Sequence, residues 1–373
     1  MFFYSILNTV FNNPFLAFVH ASQHSPHEFP MFYANNAVYD SINWLHEPQE
    51  SWISLCRQRA EELRSKYEYL VLGFSGGTDS ITVYNTFRQN NIKIDEIIIT
   101  YGRDNPVAPE SSVAWLVQNH WDPDTRITYI DRYVDDVLQQ HYHSDQWIMN
   151  DFGGVRRYEV TCPGPEIIDH CERTSLGRSW CLITGHEKPH LVFEKGQWWV
   201  THLDHVFHSV MGWPNVEMFF IGQDPQLHVK QCHMLKRWIT KQNMNITEGW
   251  QSFAMLGRKN VVDYENFAMA CGRDLDVVRG ISFCQKILNN EYNAKDTGTL
   301  INGDIYHLKI DKFLKTHMLN ERRSAVNYSQ AWMTLQHDRT LNDYMLRHGL
   351  LHRPDQPMQK YNAILGKKYL LGV

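Results

Sequence analysis

No window of this 373-residue chain reaches about twenty uninterrupted apolar residues, so a membrane-spanning helix is not expected. No Cys-x-x-Cys pair occurs among the seven cysteines, which removes paired-cysteine zinc sites, iron–sulfur clusters and dithiol motifs from the ready explanations. An odd number of cysteines without scaffold spacing fits reduced thiols in a cytoplasm better than a secreted disulfide framework. No G-x-x-x-x-G-K-[ST] run is present, so there is no Walker A loop. The chain has neither an internal repeat nor a low-complexity tract. It also has no excess of positive charge: 36 Lys and Arg stand against 41 Asp and Glu, for a formal net charge of −5. A general nucleic-acid binder is therefore not expected.

What is present describes a globular chain long enough to bury a sizeable core. Hydrophobic residues make up 43% and charged residues 21%, an ordinary balance for a packed domain. Residues 1–20 are apolar enough to suggest a secretory signal. They carry no Lys or Arg, however, and Asn12-Asn13-Pro14 interrupt the apolar run. A docked N-terminal extension over residues 1–45 is expected instead.

The most informative stretch is Ser75-Gly76-Gly77-Thr78-Asp79-Ser80. Before it, Tyr69-Leu70-Val71-Leu72-Gly73-Phe74 reads as a buried parallel strand. After it, Ile81, Tyr84 and Phe87 fall at helical spacing. Adjacent glycines between a strand and a helix start let backbone N–H groups converge, and the helix N-terminus adds partial positive charge. The hydroxyls of Ser75, Thr78 and Ser80 add donors for phosphate oxygens, and Asp79 is suited to hold Mg²⁺ against the same phosphates.

This strand, turn and helix resemble the PP-loop of the ATP pyrophosphatase family, whose pattern is S-G-G-x-D-S. Ser75, Gly76, Gly77, Asp79 and Ser80 occupy all five fixed positions. The resemblance implies a Rossmann-like α/β fold, ATP and Mg²⁺ as cofactors, and cleavage between the α- and β-phosphates to give AMP and pyrophosphate. It is specific over about residues 68–102 and weaker to about residue 190. It also implies that the end of the next strand lies near the adenine, which makes Thr100, Tyr101 and Arg103 nucleotide neighbours. A second family signature, a strand ending in T-G, resembles Trp180-Cys181-Leu182-Ile183 followed by Thr184-Gly185-His186-Glu187. Family versions often continue with acidic residues, whereas this chain has Lys188-Pro189-His190. Gly185 and His186 are therefore candidate nucleotide contacts, and Asp79, Ser80 and Lys188 candidate catalytic residues.

The rest of the chain extends this frame. Pro48–Tyr67 reads as a helix with Trp52, Leu55, Cys56, Ala60 and Leu63 on its apolar face and charges on the other. Ile94–Tyr101 and Arg126–Ile130 read as further strands, with helical patterns over Glu110–Trp121 and Val134–Tyr142. We expect an open parallel sheet with helices on both faces over residues 46–225. From Trp147 to Ser179, Gly153-Gly154 and Pro163-Gly164-Pro165 suggest loops lining the site. Leu191–Val200 reads as a hairpin turning at Lys195-Gly196. Residues 226–373 look mainly helical, over His228–Thr240, Val261–Cys271 and Ser329–Arg347.

Three groups of ligand-type residues are candidates for metal binding or for ordinary packing: His202, His205 and His208; His228, Cys232 and His233; and Cys162, His170, Cys171 and Cys181. Packing is the expectation, since none has paired zinc spacing. Three functions stay open. The first is an adenylating ligase or amidotransferase acting on a small-molecule carboxylate or carbonyl, attacked by an amine or ammonia. The second is a sulfur-transfer or sulfonucleotide-reductase-like enzyme, for which a lone Cys162, Cys171 or Cys181 would be the thiol carrier and tRNA a partner. No E-C-G-x-H motif supports the reductase branch. The third is a non-catalytic nucleotide-binding protein. Nothing in the residues speaks against a homo-oligomer.

Overall fold

The computed structural model describes residues 2–11, 14–76, 78–101, 116, 122–131, 165–185, 189–203, 215–222, 224–242, 245–252, 269–272 and 366–373. The helical patterns expected over Glu110–Trp121, Val134–Tyr142, Val261–Cys271 and Ser329–Arg347 lie outside these residues, apart from Leu116 and residues 269–271, as do residues 147–164.

The apolar N-terminus forms a sheet of its own. Strands β1 (Phe2–Ile6), β2 (Thr9–Phe11) and β3 (Met31–Ala34) form an antiparallel sheet of order β2-β1-β3, with α1 (Pro14–His24) between β2 and β3. A short α2 (Asn36–Tyr39) leads toward the main body. Helix α3 (Trp52–Lys66) begins with its apolar pattern at Trp52, four residues later than the Pro48 start expected. Ser51 is the reason: its hydroxyl accepts the Ser54 N–H at 3.1 Å and caps the helix. Leu55, Cys56, Ala60 and Leu63 are buried along the expected stripe.

The chain then alternates strand and helix: β4 (Tyr69–Gly73), α4 (Thr78–Gln89), β5 (Glu96–Tyr101), β6 (Arg126–Asp131), α5 (Pro165–Ser175) and β7 (Trp180–Thr184). A hairpin follows, β8 (His190–Glu194) and β9 (Gln197–Thr201), and then β10 (Val216–Met218). The main sheet has the order β10-β7-β4-β5-β6, and every neighbouring pair is parallel. This is the expected α/β architecture. Side chains alternate across it, as period-2 geometry requires. Leu70, Leu72, Ile97, Ile99, Cys181 and Ile183 pack under α3 and α4, while Val71, Ile98 and Leu182 pack under α5. With both faces covered, β4 and β7 must be apolar almost throughout, which is why they were readable as buried runs.

Helix α5 corrects the expectation of loop between Trp147 and Ser179. Pro165 is its first residue, where the missing N–H costs nothing. Ile167, Ile168 and Cys171 form its buried face. The Pro-Gly-Pro run therefore marks a helix start.

The hairpin turns at Lys195 (φ 53°) and Gly196 (φ 72°), the paired left-handed geometry of a two-residue turn. Helix α6 (Gln226–Lys241) forms over the pattern read at His228–Thr240, and two short strands are described after it. β11 (Trp250–Gln251) and β12 (Tyr369–Gly372) flank the hairpin in a sheet of order β11-β8-β9-β12. The segment before β12 reaches the N-terminal unit. The Gly366 N–H donates to the His202 carbonyl at 2.8 Å, the Lys367 N–H donates to the Phe32 carbonyl at 3.0 Å, and Phe32 and Gly366 form a parallel bridge. Nearby, the Trp44 ring stacks on Tyr369 at 5.0 Å. Among the described residues no helix is long and apolar enough to cross a membrane.

Candidate functional site

Strand order locates the site without reference to any motif. After β4 the chain builds β5 and β6 on one side, then crosses back to build β7 and β10 on the other. The crevice outside the carboxyl ends of β4 and β7 is the topological switch point, where open α/β sheets place their ligands. The glycine turn leaves β4 at that crevice.

Gly76 has φ +70°, a left-handed conformation that an L side chain rarely adopts, so a glycine is needed to enter the helix here. Helix α4 starts at Thr78, and Asp79 stands in its first turn. The turn is closed by a serine pair. Ser80, almost fully buried, accepts the Ser75 N–H at its Oγ (3.3 Å), and the two hydroxyl oxygens are 3.3 Å apart. Ile81, Tyr84 and Phe87 anchor the helix in the core.

The end of β7 meets this turn directly. A Cβ built on Gly185 would lie 2.9 Å from the Asp79 carbonyl carbon and oxygen and 3.0 Å from the Ser80 nitrogen. Only a bare backbone fits there. Thr184 and Gly185 therefore stand at the same rim as Gly76, and residue 185 touches the first turn of α4. Thr100 and Tyr101 end β5 at that rim one strand away, two and three positions beyond Ile98, whose carbonyl accepts the Phe74 N–H. The fold thus brings together Ser75, Gly76, Asp79, Ser80 and Gly185, with Thr100 and Tyr101 beside them. Thr78 and Tyr101 are described by their backbone alone, and Gly77, Arg103, His186, Glu187 and Lys188 lie outside the described residues.

Two buried charge networks brace the sheet and were not legible beforehand. Arg59, expected on the charged face of α3, is buried. Its Nη1 donates to Glu62 at 2.7 Å, and its Nη2 donates to Glu217 at 3.1 Å and to the Met218 carbonyl at 3.3 Å. Gly222 lies against the guanidinium, where a Cβ would approach Cζ to 2.6 Å. Glu217 also accepts from Lys66 (2.8 Å) and Tyr67 (3.1 Å). Burial acts to raise the Glu217 carboxyl, but the Lys66 hydrogen bond and the two cations outweigh it and hold it below the ordinary range. This network fixes β10, and hence residues 219–222 at the rim.

The second network sits at the amino ends of the strands. The fully buried Glu96 carboxylate accepts from Tyr69 (2.7 Å) and Thr128, and pairs with His170 Nε2 at 2.7 Å. Burial opposes its ionisation, yet these hydrogen bonds prevail and lower its pKa. Tyr69 is pushed up to about 12 by burial and by Glu96. Lying away from the rim, this group serves the sheet and not the crevice.

The ligand-type clusters are redistributed. Cys171 and Cys181 are buried on opposite faces of the sheet, and burial raises both thiols, Cys171 to about 12. Neither suits a thiol carrier near neutral pH. Cys162, His205 and His208 lie outside the described residues. His202 and His228, from separate sequence clusters, meet with their Nε2 atoms 3.2 Å apart. Among the described residues no group of three or more His, Cys, Asp or Glu side chains is placed to hold a metal ion.

No protein family and no curated protein matches the sequence. Among solved structures, the chain is similar to NMN synthetase from Francisella tularensis at 10% identity and a TM-score of 0.30, over 65% of this chain and 96% of that one.

Proposed function

We propose that this chain is an ATP-dependent adenylating enzyme that cleaves ATP to AMP and pyrophosphate and activates a small-molecule carbonyl or carboxylate for attack by an amine or ammonia. The observation that carries the reading is the turn from β4 into α4, with Gly76 left-handed, α4 opening at Thr78 and Gly185 pressed against that opening at the switch point. Backbone N–H groups at a helix start favour an anion. A carboxylate in the same first turn would repel that anion unless a cation lay between them. Asp79 therefore fits Mg²⁺, which would neutralise phosphate charge when bound. The Ser75–Ser80 hydroxyl pair would supply further donors to a leaving pyrophosphate, where charge develops. Thr100 is our candidate for an adenine neighbour, and Lys188 our candidate for the cation facing the pyrophosphate. The high thiol pKa values of Cys171 and Cys181 weigh against the sulfur-transfer alternative.

The test is incubation of the full chain with ATP, Mg²⁺ and panels of small carboxylates plus ammonia. AMP and pyrophosphate in equal amounts are expected. Release of ADP, or nucleotide binding without turnover on any panel, would defeat this reading.

A further inference from the structure

Four segments of the chain meet at one histidine pair. His202 follows β9 and His228 lies on α6, both buried, and their Nε2 atoms face each other at 3.2 Å. With both rings neutral one N–H donates to one lone pair, and one added proton still leaves an N–H···N bond between a cationic and a neutral ring; a second added proton makes both rings cations and sets two N–H groups against each other. The surroundings are aromatic. Tyr39 from α2 stacks on His202 at 4.8 Å, Trp44 presents its edge to His228 at 5.9 Å, and Tyr369 from β12 lies 6.2 Å from His202. Among the described residues, the titratable groups facing the pair are His190 of β8, Cys232 of α6, Tyr39 and Tyr369. Beyond them stand Cys271 beside Cys232, the Asp40–Lys367 ion pair beside Tyr369, and His233, bonded to the Trp44 carbonyl at 2.9 Å.

We propose that the His202–His228 pair is an acid-released latch: while an N–H···N bond joins the rings it clamps the end of β9 to α6 and to residues 39–44 and 369, and with both rings cationic the clamp opens. Both clamped elements are close in sequence to the rim: the β8–β9 hairpin that ends at His202 begins five residues after Gly185, and α6 begins four residues after Gly222. Opening the latch would therefore loosen both chains bordering the crevice. The direction in pH follows from linkage. Burial first, then the charges of His228 and His190, hold His202 well below the ordinary imidazole range. A histidine depressed in the closed form stabilises that form above about pH 6.5 and loses the stabilisation as pH falls below it, because the open form binds the extra proton.

Hydrogen–deuterium exchange of the full chain between pH 7.5 and 5.0, corrected for intrinsic rates, reads this directly. Peptides over residues 39–45, 199–203, 226–241 and 367–372 should lose protection by about tenfold per pH unit for each extra proton, while β4 and β7 keep theirs. His228→Gln leaves His202 a hydrogen-bonding amide that takes no proton, and should lower the pH dependence by about tenfold per unit. His202→Gln should do the same and serves if the first variant does not fold. Protection unchanged down to pH 5, simultaneous loss in β4 and β7, or an unaltered pH slope in the folded variants would each overturn the latch.

Discussion

A single methyl group at residue 185 tests the contact on which the proposed site depends. In Gly185→Ala the new Cβ would stand 2.9 Å from the Asp79 carbonyl group and 3.0 Å from the Ser80 nitrogen, about half an ångström inside ordinary contact. The obstacle is backbone at the start of a helix anchored in the core, not the end of a flexible side chain, so α4 or β7 must shift. Overpacking of this kind costs about 1–3 kcal/mol, or a fall in Tm of about 1–4 °C at this chain length. Displacing the first turn of α4 by about half an ångström should also lower turnover by about tenfold, given that misplacement by about 1 Å costs about a hundredfold. Gly73 supplies the control within the same sheet. Its added Cβ would meet Ile183 O at 3.6 Å and Leu182 Cδ1 at 3.9 Å, which is ordinary contact. Gly73→Ala should therefore be neutral, or stabilising by about 0.4–1 kcal/mol. Thermal melts and pyrophosphate release on both variants decide the matter. Equal damage from the two substitutions, or no effect of Gly185→Ala on either readout, would refute the reasoning.

Three further outcomes are expected. Asp79→Asn should lower kcat for pyrophosphate release by about a hundredfold while nucleotide affinity changes little, and kcat should lose its Mg²⁺ dependence; equal loss in both parameters would make Asp79 only a helix-start residue. Arg59→Met removes the buried cation between Glu62 and Glu217, so urea unfolding should show a loss of about 3–5 kcal/mol, and an unchanged midpoint would contradict the buried pairing. Glu96→Gln should cost about 1–3 kcal/mol at neutral pH. Because the folded Glu96 pKa is depressed, its contribution is complete above about pH 4.3 and fades as pH falls through the folded value, so variant and parent melts should converge in acid.

Local signals made part of this molecule readable. The apolar run of β4, the double glycine and the helical spacing of Ile81, Tyr84 and Phe87 each report on a few neighbouring residues, and the turn forms where they meet. The Lys195-Gly196 hairpin was legible because two left-handed residues in succession need that chemistry. Helix α5 was hidden because proline is both a loop marker and a good first helical residue, and the two meanings differ only in what packs afterwards. Arg59 looked solvated because its partner Glu217 is remote in sequence and a carboxylate's position cannot be read from the helix that faces it. The His202–His228 contact depends on how β9 and α6 are set against each other, which no spacing within either segment encodes. Strands β11 and β12 are too short to show a period.

The pairing of Phe32 with Gly366 also has a consequence for how the chain comes into being. At about 5–20 residues per second, synthesis takes roughly 20–70 s to travel from one partner to the other. For that interval the seats of Phe32, Tyr39 and Trp44, all buried in the finished protein, are incomplete. The early aromatic segment must wait, exposed to other nascent chains, while the parallel sheet forms behind it. Yield at high expression, and demand for chaperones, should therefore be governed by this early aromatic stretch and by the arrival of residues 366–372, more than by the crevice residues themselves.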